Sequence, residues 1–466
     1  MYGRVGRYKL IFFIKEGTML TRIILASLLF HSFIYIALAQ NNESTYNWPT
    51  WRGPNSNGVS SINSTPPIKW DEKTNIKWKT KLPGKGSSSP IIWGNNVFVL
   101  TAIKTDRLAK AEELPKRKNG LETKTIAPQN FYNFDVLCFD KTTGKLNWSK
   151  TANTAIPHEG HHSSHSYAAS SPVTDGHRLY ASFGSFGYYA FDFFGNLLWK
   201  RDLGRLTTRL GWGETVTPAL FKNSLVLNLD QEIGSKIVVL DASTGKTIWE
   251  KDRNEKSSWN TPFIVPYKNI NQVIINGTTQ IRSYDLNDGK IIWETSGMTT
   301  NAIPSVLASS EIAYVMSGYR GAAAVAIPLS SNGELSESAE SKNSKALWRY
   351  SKGTPYVPSP LLFENNLYFT KGNSGLLTIL DALNGKAIVE DFRLENTSTF
   401  YSSPVTANGM IYFIDRDGTA IIIKCGKVPK IISTNKLNDQ FDASPAISGN
   451  TLFLRGENWL YAIEEK

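Results

Sequence analysis

Hydrophobic positions in this chain come in short runs. A run stops at an aspartate, crosses a tight polar turn, and restarts as a second apolar run that ends in tryptophan. Residues 241–249 (DASTGKTIW) hold the whole pattern, and it recurs at 140–148 (DKTTGKLNW), 192–199 (DFFGNLLW), 285–293 (DLNDGKIIW) and 381–389 (DALNGKAIV, with Val for Trp). Weaker echoes stand at 75–78 (NIKW), 346–348 (ALW) and 426–430 (GKVPK). Each copy predicts a strand end, a turn and a new strand. The aspartate bonds local backbone and the glycine accepts positive φ, while the apolar residues and tryptophan pack a sheet face.

A second motif keeps step with the first. It is Ser/Thr-Pro followed by a β-rich run, at Pro90, Pro172, Pro218, Pro262, Pro304, Pro360, Pro404 and Pro445. Five of the seven intervals are 46, 44, 42, 44 and 41 residues; the other two, 82 and 56, hold insertions. A period in the forties built from four short strands predicts a β-propeller. The expected fold is all-β, an eight-bladed propeller of four-stranded blades. A strand within residues 70–82 precedes the first Ser-Pro, and the last unit stops short of its final strand. The N-terminal strand is therefore expected to complete the last blade and close the ring.

The expected organisation is a leader at 1–39, a polar lead-in at 40–69 carrying WPTWRGP, and the propeller at 70–466. Insertions at 103–134 and 328–345 read as mobile surface loops. The leader has Arg22, a 17-residue mostly apolar run from 23 to 39 and an Ala-Leu-Ala end, with Met19 as a candidate start. That is the pattern of a secretory signal peptide. No cysteine follows it, so a lipid anchor is not expected, and no later segment reads as a transmembrane span. Without residues 1–39, 46 Lys/Arg stand against 39 Asp/Glu, and the +7 is spread along the chain. A nucleic-acid partner is not expected, since no recognition motif accompanies this charge. Cys138 and Cys425 are expected as free thiols.

These residues carry a resemblance. The repeat resembles the tryptophan-docking motif of PQQ-like propeller repeats, found in quinoprotein dehydrogenases and BamB-like proteins. WPTWRGP, GSSSPIIWGNNVFVL, SHSYAASSPVTDG and FGSFG resemble exported bacterial members, over residues 48–463. The resemblance implies that Trp148, Trp199, Trp249 and Trp293 pack between adjacent blades. It also implies that any cofactor, PQQ with calcium, would sit on the axis beneath the loops of one face. Those loops hold Arg209, Trp212, Glu214, Trp259, Asn260, Asn301, Tyr356 and Tyr401, and also Asp230, Gln231, Arg320, Lys371, Asp415, Arg416 and Arg455. Of these, Arg209, Trp212, Trp259, Arg320, Tyr356, Tyr401, Asp415, Arg416 and Arg455 are the candidates for binding a ligand. An aromatic, Arg-rich funnel suits an anionic planar or extended ligand.

The chain departs from quinoproteins in having no adjacent Cys-Cys pair and no haem domain. Four of the six histidines, His158, His161, His162 and His165, fall in HEGHHSSHSY. They are candidate zinc or copper ligands, but the favoured reading is a hydrogen-bonded structural loop. No catalytic residue is singled out. The expected function is a non-catalytic exported scaffold that binds an envelope protein or an extracellular ligand as a monomer. The alternative is a PQQ- and calcium-dependent oxidoreductase.

Overall fold

The computed structural model describes residues 46–115, 121–336 and 346–466. The leader lies outside them. Residues 48–466 form one compact unit made of eight antiparallel sheets, the eight blades expected from the repeat. Blades 1 to 7 lay their four strands in chain order. Blades 1 to 7 span residues 91–155, 173–201, 219–252, 263–295, 307–350, 361–393 and 405–436. Blade 8 takes three strands from 446–463 and its fourth, Ile76–Lys81, from the start of the chain. That strand pairs antiparallel with Trp459–Ile463, for example Lys79 with Tyr461, so the ring closes. Among the described residues no helix is long and apolar enough to cross a membrane.

The hydrophobic pattern follows from the stacking. Middle strands are covered on both faces by neighbouring blades, so they read as continuous apolar runs. Lys236–Asp241 (KIVVLD) is buried at all four central positions, whereas the outer strand Thr247–Asp252 of the same blade is mostly exposed. At the start of several outer strands the register slips by one residue, between Val239 and Leu240 in blade 3. This bulge re-aims the following tryptophan toward the next blade. Trp148, Trp199 and Trp249 donate their indole N–H to Phe193, Ala242 and Leu286 carbonyls of the following blade, at 2.9, 2.9 and 2.8 Å. Trp78 and Trp348, from the weaker echoes, do the same to Lys141 and Ala382, both at 2.9 Å. Trp293 differs. Its indole donates to Gln272 Oε1 at 3.1 Å, and Gln272 Nε2 donates to the Leu329 carbonyl of blade 5 at 2.6 Å. Blade 5 lacks the Asp–Gly turn, so a glutamine relays the contact.

Both insertions hold ordered backbone pairing in their described parts. The second and third strands of blade 1 extend to Leu108 and from Asn130. Beyond them, Lys124 N–H and Thr125 Oγ donate to the Leu210 and Gly211 carbonyls, at 2.9 and 2.7 Å. In the second, Gly333–Glu334 adds a parallel fifth strand to blade 4, and Leu335 is buried. Residues 337–345 lie outside the described part. Both cysteines are free, Cys138 buried and Cys425 half-buried.

Candidate functional site

The WPTWRGP segment crosses the axis. Trp48 bridges Ile92 of blade 1, the Thr174 N–H of blade 2 donates to the Pro49 carbonyl at 3.0 Å, and Val59 bridges Thr406 of blade 7. Arg52, fully buried, donates to the carbonyls of Pro404 at 2.8 Å and Pro360 at 2.7 Å. Its partners are carbonyl dipoles, and burial lowers its pKa to about 9. The segment thus seals the ring from one side, and Trp51 faces the axial cavity above it.

That cavity has a volume of about 350 Å³, within the size range of small-molecule sites. Its wall is a circle of hydroxyls, one per blade: Ser89, Ser171, Thr217, Thr261, Ser305, Ser359, Ser403 and Ser444. The circle is stitched by backbone. Ser89 N–H donates to Ser171 Oγ, Ser171 N–H to Thr217 Oγ1, Ser359 N–H to Ser403 Oγ, Ser403 N–H to Ser444 Oγ and Ser444 N–H to Ser89 Oγ, at 2.8 to 2.9 Å. Thr261 and Ser305 continue it through Ser305 and Ser359, at 3.1 and 3.0 Å. In seven blades the hydroxyl residue precedes the proline. In blade 5 it follows, so Ser305 rather than the residue before Pro304 takes the position. The serine of Ser-Pro is therefore the joint between blades, and the count by proline lands one residue early there.

Above the circle stands an aromatic rim. Trp212 and Trp259 lie 6.5 Å apart, and Tyr319 stacks on Tyr356 at 4.8 Å. Tyr401 carries the Arg416 guanidinium 4.3 Å from its ring centre, and its hydroxyl meets Ser164 Oγ at 3.1 Å. Of the predicted ligand residues, Trp212, Trp259, Tyr356 and Tyr401 line the cavity together. The arginines do not join them. Arg416 holds Asp442 at 2.5 and 3.1 Å. Arg209 lies toward Trp212, bonds Asn301 Oδ1 at 3.2 Å, and shares a separate surface cleft with exposed Arg320. Arg455 is buried between blades 8 and 1 and donates to the Ser88 and Leu100 carbonyls, at 3.1 and 2.6 Å. Burial lowers its pKa to about 9. Lys371 faces Asp391 outside the cavity, at 3.3 Å.

The carboxylates are also committed elsewhere. Asp415 accepts the N–H groups of Ser398 and Thr419, at 2.8 and 2.7 Å. Asp230 holds the fully buried Arg253 at 2.7 Å and accepts Ser258 Oγ at 2.6 Å. Burial would lower the Arg253 pKa, but the Asp230 carboxylate outweighs it and raises the pKa. Glu214 accepts Ser185 N–H at 2.8 Å, and burial pushes its pKa up to about 7. Asn260 is buried against Ser258 at 3.1 Å.

The four loop histidines turn to different partners. His158 Nε2 meets the Leu206 carbonyl at 2.6 Å, His161 Nδ1 the His162 carbonyl at 2.8 Å, His162 Nδ1 the Ser164 hydroxyl at 2.8 Å, and His165 Nε2 the Glu214 carbonyl at 3.1 Å. Burial, reinforced by neighbouring His161, holds the His165 pKa down to about 4. Among the described residues no group of three or more His, Cys, Asp or Glu is placed to hold a metal ion. His162 and His165 belong to the cavity wall. The sequence reading missed Trp51, Tyr319 and the hydroxyl circle, although the Ser-Pro repeat was its visible trace.

A family model described as outer membrane protein assembly factor BamB matches residues 189–426, just over half of the chain. The chain belongs to this family. Its propeller is similar to that of BamB from Moraxella catarrhalis, at 13% identity and TM-score 0.50, covering 78% of this chain and 100% of that one. A europium-containing methanol dehydrogenase is similar at 10% identity and TM-score 0.57, covering 92% and 91%. The computationally designed Ika8 protein is similar at 12% identity and TM-score 0.51, covering 76% and 99%. At these identities the likeness is one of fold. No curated protein matches the sequence.

Proposed function

We propose that this BamB-family propeller is an exported, non-catalytic binding scaffold of the cell envelope, which receives its ligand or partner at the aromatic rim over the axial cavity. The observation that carries this reading is the cavity wall of hydroxyls and aromatic rings, surrounded by charged groups already bound within the protein. A calcium ion takes about six to eight converging oxygen ligands, carboxylates prominent among them. Glu214, Asp230 and Asp415 turn to backbone, arginine and serine partners instead. The arginines that would face the carboxylates of PQQ are engaged or buried elsewhere. These residues do not fit a calcium–PQQ pair. The family description, an outer-membrane assembly factor, and the leader pattern at 1–39 support the envelope setting.

Thermal unfolding tests the reading. The metal-stripped protein is melted alone, with calcium, with PQQ and with both. A ligand of the folded state at 100 times its Kd stabilises by about 2.7 kcal/mol. The expected result is no shift that requires calcium and PQQ together. A shift with the pair, absent with either alone, overturns the scaffold reading in favour of a dehydrogenase.

A further inference from the structure

The hydroxyl circle has unused hydrogen-bonding capacity. Each stitched Oγ accepts a backbone N–H from the neighbouring blade. A hydroxyl also has one O–H to donate and a second lone pair. Among the described residues, no hydroxyl of the circle donates to another protein atom. Ser89, Ser171, Ser359, Ser403 and Ser444 are each more than nine-tenths buried and line the cavity. The hydrogen-bonding capacity left on these hydroxyls is thus available to a molecule inside the cavity they line.

The charge of the wall narrows the ligand. His165 is neutral at physiological pH, because burial depresses its pKa. Asp442 is held by Arg416. Among the described residues no lysine or arginine lines the wall, so an anion entering here would lose its water without a guanidinium or ammonium to face it, and a cation would lose its water to neutral hydroxyls, with the one carboxylate of the wall already held by Arg416. The ligand that fits is neutral and has many groups that both donate and accept. Its polar groups must radiate from a rim, as the wall hydroxyls converge from all sides. It must also present flat apolar faces to Trp51 on one side and to the Trp212, Trp259 and Tyr356 rings on the other. A sugar ring has this form: equatorial hydroxyls around its edge, and C–H faces that sit against the electron-rich faces of aromatic rings. An extended peptide carries its donors and acceptors along two edges and does not match a closed circle.

We propose that the axial cavity binds a neutral carbohydrate, one sugar ring of which seats inside the hydroxyl circle. This inference rests on the reading of the cavity as a binding site rather than a cofactor pocket. The test titrates the purified protein with cellotriose, maltotriose, mannotriose and triacetylchitotriose, and with trigalacturonate as the charged control. Tryptophan fluorescence and calorimetry read the binding. At least one neutral trisaccharide is expected to bind with a Kd of ~1 mM or tighter. Trigalacturonate is expected to bind at least about tenfold more weakly, and Trp212→Ala to weaken the neutral sugar by about tenfold or more. The melting temperature of Trp212→Ala checks that it folds, and Tyr319→Ala serves as a second rim variant. The proposal is overturned if none of the four binds, if the uronate binds as tightly, or if neither variant changes affinity. Absent sugar binding together with no calcium–PQQ shift removes only the ligand class. A calcium–PQQ shift removes both readings.

Discussion

Glu214 and His165 are neighbours whose titrations oppose each other. Burial raises the Glu214 pKa from 4.5 to about 7, so the folded state holds a proton that the unfolded chain releases. Its contribution is fully present below pH 4.5 and is lost as pH rises toward 7. Burial lowers the His165 pKa from 6.5 to about 4, so the unfolded chain holds a proton that the folded state does not. That contribution is present above pH 6.5 and is lost as pH falls toward 4. Each group alone gives a slope of up to about 1.4 kcal/mol per pH unit, of opposite sign. Across the overlap, stability should be nearly flat from these two groups. Glu214→Gln should leave a stability that rises with pH through this window, and His165→Gln one that falls. Urea midpoints measured at successive pH values check it. Parallel slopes in both variants would show that the two groups do not titrate in these directions. Neither shift was legible in HEGHHSSHSY or in the segment around Glu214, because both come from what the loops pack against.

The blade seam is an element-scale device, and its sequence signal is the G-K-x-x-W turn. Trp199 of blade 2 lies against Gly245 of blade 3, whose φ is +70°, and a Cβ there would stand 2.7 Å from the indole. Gly409 has the same φ, but a Cβ would meet nothing within 4 Å. The two separate backbone strain from docking. Gly409→Ala should cost about 1–2 kcal/mol, the left-handed penalty alone. Gly245→Ala should cost about 3 kcal/mol or more, since it must also displace the tryptophan. Trp199→Ala should cost about 3–5 kcal/mol, and combining it with Gly245→Ala should be clearly less than additive. Chemical unfolding of the three variants and the double variant decides this. Equal costs at both glycines would mean that the tryptophan does not close the seam. The motif was legible because an Asp opens each turn and, in the copies that end in Trp, Gly and Trp keep the same spacing from each other. The Trp293–Gln272–Leu329 relay was not, because Gln272 joins the seam from another strand.

At the scale of the whole molecule, the blade count and the closing strand were legible, since both follow from a period and from two incomplete units that fit each other. The axial site was legible only in its aromatic half. A period says which residues approach the axis, but not which way a side chain turns at a strand end. Arg455 and Asp415 turn into the wall, while Tyr356 and Tyr401 turn out of it. The role of WPTWRGP was also hidden, because a segment before the first blade has no repeat to place it. Its position separates two tasks of the N-terminal chain. Residues 48–59 seal the axis, and Ile76–Lys81 closes the ring. A chain starting at residue 68 keeps the closing strand and loses Trp51 and Arg52. It should fold as a monomer of reduced stability, with tryptophans of the cavity newly open to a small quencher such as acrylamide. A chain starting at residue 83 also loses the closing strand. That exposes the edge of Trp459–Ile463 and takes Trp78 away from Gly144 of blade 1. An open, apolar strand edge pairs with other chains, so this form should aggregate. Size-exclusion chromatography with circular dichroism distinguishes the two. If the shorter chain stays a folded monomer, the closing strand is not what holds the ring shut. If the chain from residue 68 aggregates as well, sealing the axis and closing the ring are one cooperative event.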